Sequence, residues 1–133
     1  MDELLDNDLQ TLNENAPIIT KAKAIFNFSK LSDDILAEKL QKFLLGKGYK
    51  LESGTTKDGI YGKGSKIGRI LLGAFVKRFA WNITIEHKNE MASLTLFKQA
   101  KGYAGGLIGV NQVNKEFNVI VNSLKQFHIN QES

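Results

Sequence analysis

Alternation and helical spacing divide this chain into a clear series of elements. From Lys21 to Ser29, Ala22, Ala24, Phe26 and Phe28 alternate with Lys21, Lys23, Ile25 and Asn27, which predicts a first strand. Leu36, Leu40, Phe43 and Leu44 then fall at helical spacing, with Asp33, Asp34, Glu38, Lys39 and Lys42 mostly off that stripe. Ser32 is the expected N-cap, and Leu31 and Leu36 have the spacing of a hydrophobic staple. Asp33 and Asp34 suit the positive end of the helix dipole, and Gly46 or Gly48 should end the helix. Tyr49 to Glu52 predicts a second strand, residues 53–59 a loop or turn, and Gly59 to Gly62 a short third strand.

Residues 64–76 are ambiguous. Ile67, Ile70, Leu71, Ala74 and Phe75 have helical spacing, but Gly68 and Gly73 each weaken a helix by about 1 kcal/mol. The clearest strand runs from Arg78 to Lys88. Phe79, Trp81, Ile83 and Ile85 point one way, and Ala80, Asn82, Thr84, Glu86 and Lys88 the other. A turn at Lys88-Asn89-Glu90 leads into a partner strand, where Ala92, Leu94 and Leu96 alternate with Ser93, Thr95 and Phe97. A glycine-rich turn over residues 102–109 opens the longest helix. Its stripe is Val110, Val113, Phe117, Ile120, Val121, Leu124 and Phe127, and fraying is expected from His128.

The predicted order is β-α-β-β-β-β-α, an α+β domain with an antiparallel sheet of four to five strands. Both helices should cover the face lined by Trp81, Ile83 and Leu94. Residues 1–17 read as an acidic mobile tail, 18–129 as a single domain and 130–133 as a frayed end. That order resembles one half of the TATA-binding-protein-like fold. The resemblance implies that the free sheet face is the gripping surface and that a second copy completes the saddle, hence a homodimer. Tyr61-Gly62-Lys63-Gly64, the run from Arg69 to Arg78, and Gly105-Gly106-Leu107-Ile108-Gly109 resemble segments of small uncharacterised bacterial proteins. The order also resembles a small helix-grip domain, which implies a carrier with a ligand cavity beneath the long helix.

Charge sharpens this outline. The chain has 18 lysines and arginines against 14 acidic residues. Asp2, Glu3, Asp6, Asp8 and Glu14 lie in a lead that has no basic residue, so the rest of the chain is more basic than the net charge of +4 suggests. Such a domain attracts nucleic acid, anionic membrane or acidic protein surfaces. Lys57, Lys63, Lys66, Arg69, Lys77 and Arg78, interleaved with Tyr61 and Phe75, are the candidate anion-binding residues. Asn82, Thr84, Thr95 and Phe97 are the candidate contacts of a wet sheet face.

The sequence has no cysteine, which excludes disulfides and thiolate chemistry. His87 and His128 lack a metal-ligand pattern, no serine has a nucleophile-elbow context, and Asp33-Asp34 is explained by its helix turn. Neither a cofactor nor a metal is expected. The glycines of 102–109 lack the lysine-serine pair of a phosphate loop, and they follow antiparallel strands. The expectation is a cytoplasmic, non-enzymatic module for binding or assembly. It would act through the sheet face or residues 60–78, with a protein partner or homodimer first, and nucleic acid or membrane as alternatives.

Overall fold

The computed structural model describes residues 16–64, 79–98 and 110–133. The acidic lead up to Asn15, the ambiguous piece from Ser65 on and the glycine turn 102–109 lie outside the described residues. Within them the order is β1 (Ile18–Ile19), β2 (Lys23–Phe28), α1 (Asp33–Gly46), β3 (Lys50–Thr55), β4 (Asp58–Lys63), β5 (Phe79–Lys88), β6 (Met91–Phe97) and α2 (Val110–Glu132). One antiparallel sheet has the order β1-β2-β6-β5-β4-β3. It has six strands rather than four to five. The extra one, β1, is a two-residue pairing of Ile18 and Ile19 with Ile25 and Ala24, too short to show a period.

The register explains the two faces. Ala24, Leu96 and Ile83 share one row, and Phe26, Leu94 and Ile85 the next. Cross-strand neighbours point to the same side of a sheet, so alternation in three separate strands builds one apolar surface. α1 and α2 both cover that surface. α1 contributes buried Leu36, Ala37, Leu40 and Leu44, and α2 contributes Phe117, Ile120, Val121, Leu124 and Phe127. Each fully buried leucine is worth roughly 1.5–3 kcal/mol relative to exposure. The helices touch each other where the Phe43 and Phe127 rings stand 4.8 Å apart.

α1 begins as the sequence predicts. Ser32 is extended, and its Oγ accepts from the Ile35 N–H at 3.2 Å, satisfying one of the free donors of the first turn. Leu31 packs partly buried against the core. Gly48 ends the turn with φ +89°.

Residues 53–59 are not a loop. β3 and β4 pair through Thr55 and Asp58, leaving only Thr56 and Lys57 in the turn, where the Thr55 Oγ1 accepts from the Asp58 N–H at 3.1 Å. β3 is a mostly exposed edge strand with a register shift between Leu51 and Ser53, so no apolar alternation marks it. Gly54 takes φ +77°, and a Cβ there would collide with the Asp58 carbonyl oxygen.

The C-terminus does not fray at His128. α2 continues to Glu132, whose carboxylate accepts from the Ser29 N–H at 2.8 Å and the Ser29 hydroxyl at 2.6 Å. His128 is 6% exposed, with Nε2 2.7 Å from the Asn27 carbonyl oxygen and its ring edge-on to Phe28 at 4.9 Å. His87 holds the core-side register but is exposed. Its Nδ1 stands 3.5 Å from Asp33 Oδ1, an ion-pair separation, and that oxygen has no hydrogen bond.

Candidate functional site

Among the described residues, two surfaces could meet a ligand or partner, one on each side of the sheet. The first lies under the N-terminal half of α2, at the end of the sheet where β4 and β6 finish and β3, β5 and α2 begin. The register places Tyr61 beside Trp81 and Lys63 beside Phe79 on the helix side. Trp81 stacks with Phe79 at 6.2 Å and meets Phe117 of α2 edge-on at 5.8 Å. The Tyr49 hydroxyl donates to Glu116 Oε1 at 2.9 Å, and Lys63 Nζ reaches the same oxygen at 3.3 Å. Lys63 also lies over the Tyr49 ring, and Lys98 over the Phe117 ring, both at 5.6 Å from the centroid. This end is therefore an aromatic cluster edged by two ammonium groups and one carboxylate.

Burial raises the Tyr49 phenol well above its ordinary value, and the Glu116 carboxylate pushes the same way. Trp81 lies close enough to oppose that shift, yet its Nε1 makes no hydrogen bond of ordinary geometry. The Tyr61 phenol is also raised by burial, and its hydroxyl has no partner. These groups are protonated near neutrality, so they can donate hydrogen bonds but are poor general bases.

The second surface is the side of the sheet that neither helix covers. Lys23, Phe97, Asn82 and Ile60 form one row across it, and Ile18, Ile25, Thr95, Thr84 and Asp58 the next. It is less wet than the alternation predicts. Asn82 and Ser93 are buried, at 4% and 5% exposure, while Thr84, Thr95 and Phe97 are half-buried. Asn82 is braced within the sheet, its Nδ2 donating to the Gly59 carbonyl at 2.9 Å and the Asp58 carboxylate at 3.4 Å. It is thus a structural residue, and polarity alone could not separate it from Thr84 two residues on. Gly62 lets the Glu52 carboxyl lie against the β4 backbone, where a Cβ would collide with it. Glu86 and Lys88 at the rim are exposed and 3.4 Å apart.

The six basic candidates fare unequally. Lys66, Arg69, Lys77 and Arg78 lie outside the described residues. Lys57 is on the β3–β4 turn and pairs with Asp34 in the first turn of α1, which raises its pKa. Lys63 is at the far end of β4, about 20 Å away at 3.3 Å per residue, paired with Glu116. The two described lysines therefore do not share one patch. Tyr61 was legible only as an aromatic among basic residues, and Glu116 only as a polar helix position. Nothing in the sequence links Glu116 to Tyr49 or Lys63.

Among the described residues there is no group of three or more His, Asp or Glu side chains that could hold a metal ion. Among the same residues no helix is long and apolar enough to cross a membrane. No family model, curated protein sequence or solved structure matches the chain.

Proposed function

We propose that this chain is a non-enzymatic binding or assembly module of the cytoplasm, and that the sheet face away from both helices receives a protein surface, first of all that of a second copy of the chain. The observation that carries this reading is the make-up of that face. Ile25, Ile60 and Phe97 lie half-buried among Thr84 and Thr95, on the side away from both helices. A face that mixes apolar and hydroxyl groups costs little to dehydrate. Around it, Lys23, Asp58, Glu86 and Lys88 supply charges of both signs. A two-fold pairing brings a patch against its own copy, so mixed charge favours it where a single sign would oppose it.

The strand order supports the TATA-binding-protein-like reading. The first long strand, β2, lies beside the last, β6, and the two helices follow β2 and β6 and share one side. In that fold the free face is the functional one, and a half-saddle is completed by another half. The anion-binding alternative draws no support from Lys57 or Lys63, whose ammonium groups already have carboxylate partners.

Light scattering over roughly two decades of protein concentration tests the assembly, because association follows mass action. The expected result is a dimer that Phe97→Glu, and separately Thr95→Arg, shift to monomer while circular dichroism stays unchanged. A strict monomer throughout, or a dimer indifferent to both substitutions, would overturn the reading.

A further inference from the structure

An antiparallel strand turns the N–H and C=O groups of alternate residues toward alternate neighbours. In β2 the odd-numbered residues face away from β6, toward the outer edge, and their partners change along the strand. The Lys23 carbonyl accepts from the Thr20 N–H at 2.8 Å, and Ile25 lies opposite Ile18 of β1. Beyond that pair β1 stops, and side chains of α2 take over. The Asn27 carbonyl accepts from His128 Nε2 at 2.7 Å. Just past the strand, the Ser29 N–H, the Ser29 hydroxyl and the Lys30 N–H converge on the Glu132 carboxylate at 2.8, 2.6 and 3.4 Å. The Asn27 N–H turns the same way, and among the described residues no strand lies opposite it. One part of this edge is therefore closed by a strand and the next by two side chains.

We propose that the β2 edge from Asn27 to Ser29 is a strand-acceptor site, and that its occupant is the chain's own lead, residues 14–16, in exchange with the last turn of α2. Register selects that occupant. Carried on from the Ile18–Ile25 pair, it places Ala16 opposite Asn27 and Glu14 opposite Ser29. The Ala16 N–H then meets the Asn27 carbonyl that His128 holds, and the Glu14 carbonyl meets the Ser29 N–H that Glu132 holds. Pro17 does not obstruct the pairing. It falls opposite Phe26, whose backbone groups turn toward β6, so its missing N–H costs no ladder bond. Charge favours the same occupant. The lead carries Asp2, Glu3, Asp6, Asp8 and Glu14 without a basic residue, while Lys23 and Lys30 flank this edge and neither has an ion-pair partner among the described residues. The two closures use the same backbone groups, so they exclude each other, and seating the lead frees Glu132 and the end of α2. The site uses backbone groups at the rim of the sheet, so it stands apart from the reading of the helix-free face.

Amide hydrogen exchange of the full chain, read residue by residue, tests the exchange of partners. His128→Leu combined with Glu132→Ala removes both side chains and leaves the backbone of the edge intact. The expected result is that the Ser29 amide stays protected and the Asn27 amide exchanges roughly tenfold more slowly than in the parent, because the lead now pairs with both. Ile25, opposite Ile18 in either closure, is the internal control. Adding Ala16→Pro removes the N–H that reaches the Asn27 carbonyl, and should return Asn27 and Ser29 to the exchange of unpaired amides. No slowing at Asn27 in the first variant, or protection that survives Ala16→Pro, would overturn the proposal. Protection that rises with protein concentration would overturn it too, since the edge would then belong to a second copy. Glu132→Ala alone keeps the test decisive if His128→Leu packs poorly. Ser29 protection that survives it and vanishes on adding Ala16→Pro supports the proposal, and its loss in Glu132→Ala itself overturns it.

Discussion

Alkaline titration should destabilise this domain through two identifiable tyrosines. Tyr49 is 2% exposed and Tyr61 0% exposed, and burial raises both phenols, with Glu116 adding to the effect at Tyr49. In the unfolded chain a phenol ionises near its reference value of about 10. Above that pH the folded state binds more protons than the unfolded one, so stability falls as pH rises. The contribution is intact below the unfolded pKa and is lost progressively until the folded pKa is reached. While a tyrosine is ionised only in the unfolded chain it removes up to about 1.4 kcal/mol per pH unit, so Tyr49 sets the slope and Tyr61 steepens it. By about pH 11.5 the loss from Tyr49 alone is about 2 kcal/mol, a sizeable part of the 5–15 kcal/mol that holds a typical domain, and Tyr61 adds in the same direction.

The assay is urea unfolding between about pH 9 and pH 11.5 for the parent and for Tyr49→Phe combined with Tyr61→Phe. Lysines titrate in the same window, and the difference between the two proteins removes their effect. Losing the Tyr49–Glu116 hydrogen bond shifts the variant by a constant, so the slope alone carries the test. A stability difference that stays constant with pH would refute the reasoning. So would tyrosinate absorbance from all three tyrosines while the far-ultraviolet dichroism is still that of the folded protein.

Two backbone positions give further expectations. Gly54→Ala forces a Cβ into the Asp58 carbonyl at φ +77° and should cost about 2 kcal/mol in urea unfolding; a loss below about 0.5 kcal/mol would show that the β3–β4 hairpin relaxes freely. Asn89 and Glu90 form the β5–β6 turn with φ 51° and 63°, so Glu90→Gly should stabilise by about 0.5–1 kcal/mol, and destabilisation would contradict a left-handed turn there.

The central strands and both helices were legible because each buries one face. Phe26, Ile83 and Leu94 sit where period two puts them, and Leu40 and Leu124 where helical spacing does. The edge was not legible. β3 is exposed along almost its whole length, so no selection for alternation acts on Ser53-Gly54-Thr55, and a hairpin reads as a loop. His128 carried a signal that its polarity obscured, since it follows Leu124 by four residues on the buried stripe of α2. Of the candidate site, Lys63 was legible as a cation but not as the partner of Glu116, because no local period links residues so far apart in sequence. The unpaired atoms of Tyr61 and Trp81 were unreadable in principle. Sequence shows that both residues are apolar enough for a core, but only the packed fold shows which of their polar atoms find partners.

The neighbouring of β2 and β6 also dictates an order of events during synthesis. Residues numbered in the twenties pair with residues numbered in the nineties, with α1 and three strands between them in the chain. A ribosome releases β2 long before β6 exists, so Phe26 and Phe28 must wait without a long partner strand while local hairpins such as β3–β4 can already close. The last helix then seals the assembly when Glu132 reaches Ser29 and His128 reaches Asn27, at the end of that same early strand. Core closure thus waits for α2, and nascent chains halted before it should be the ones that chaperones hold.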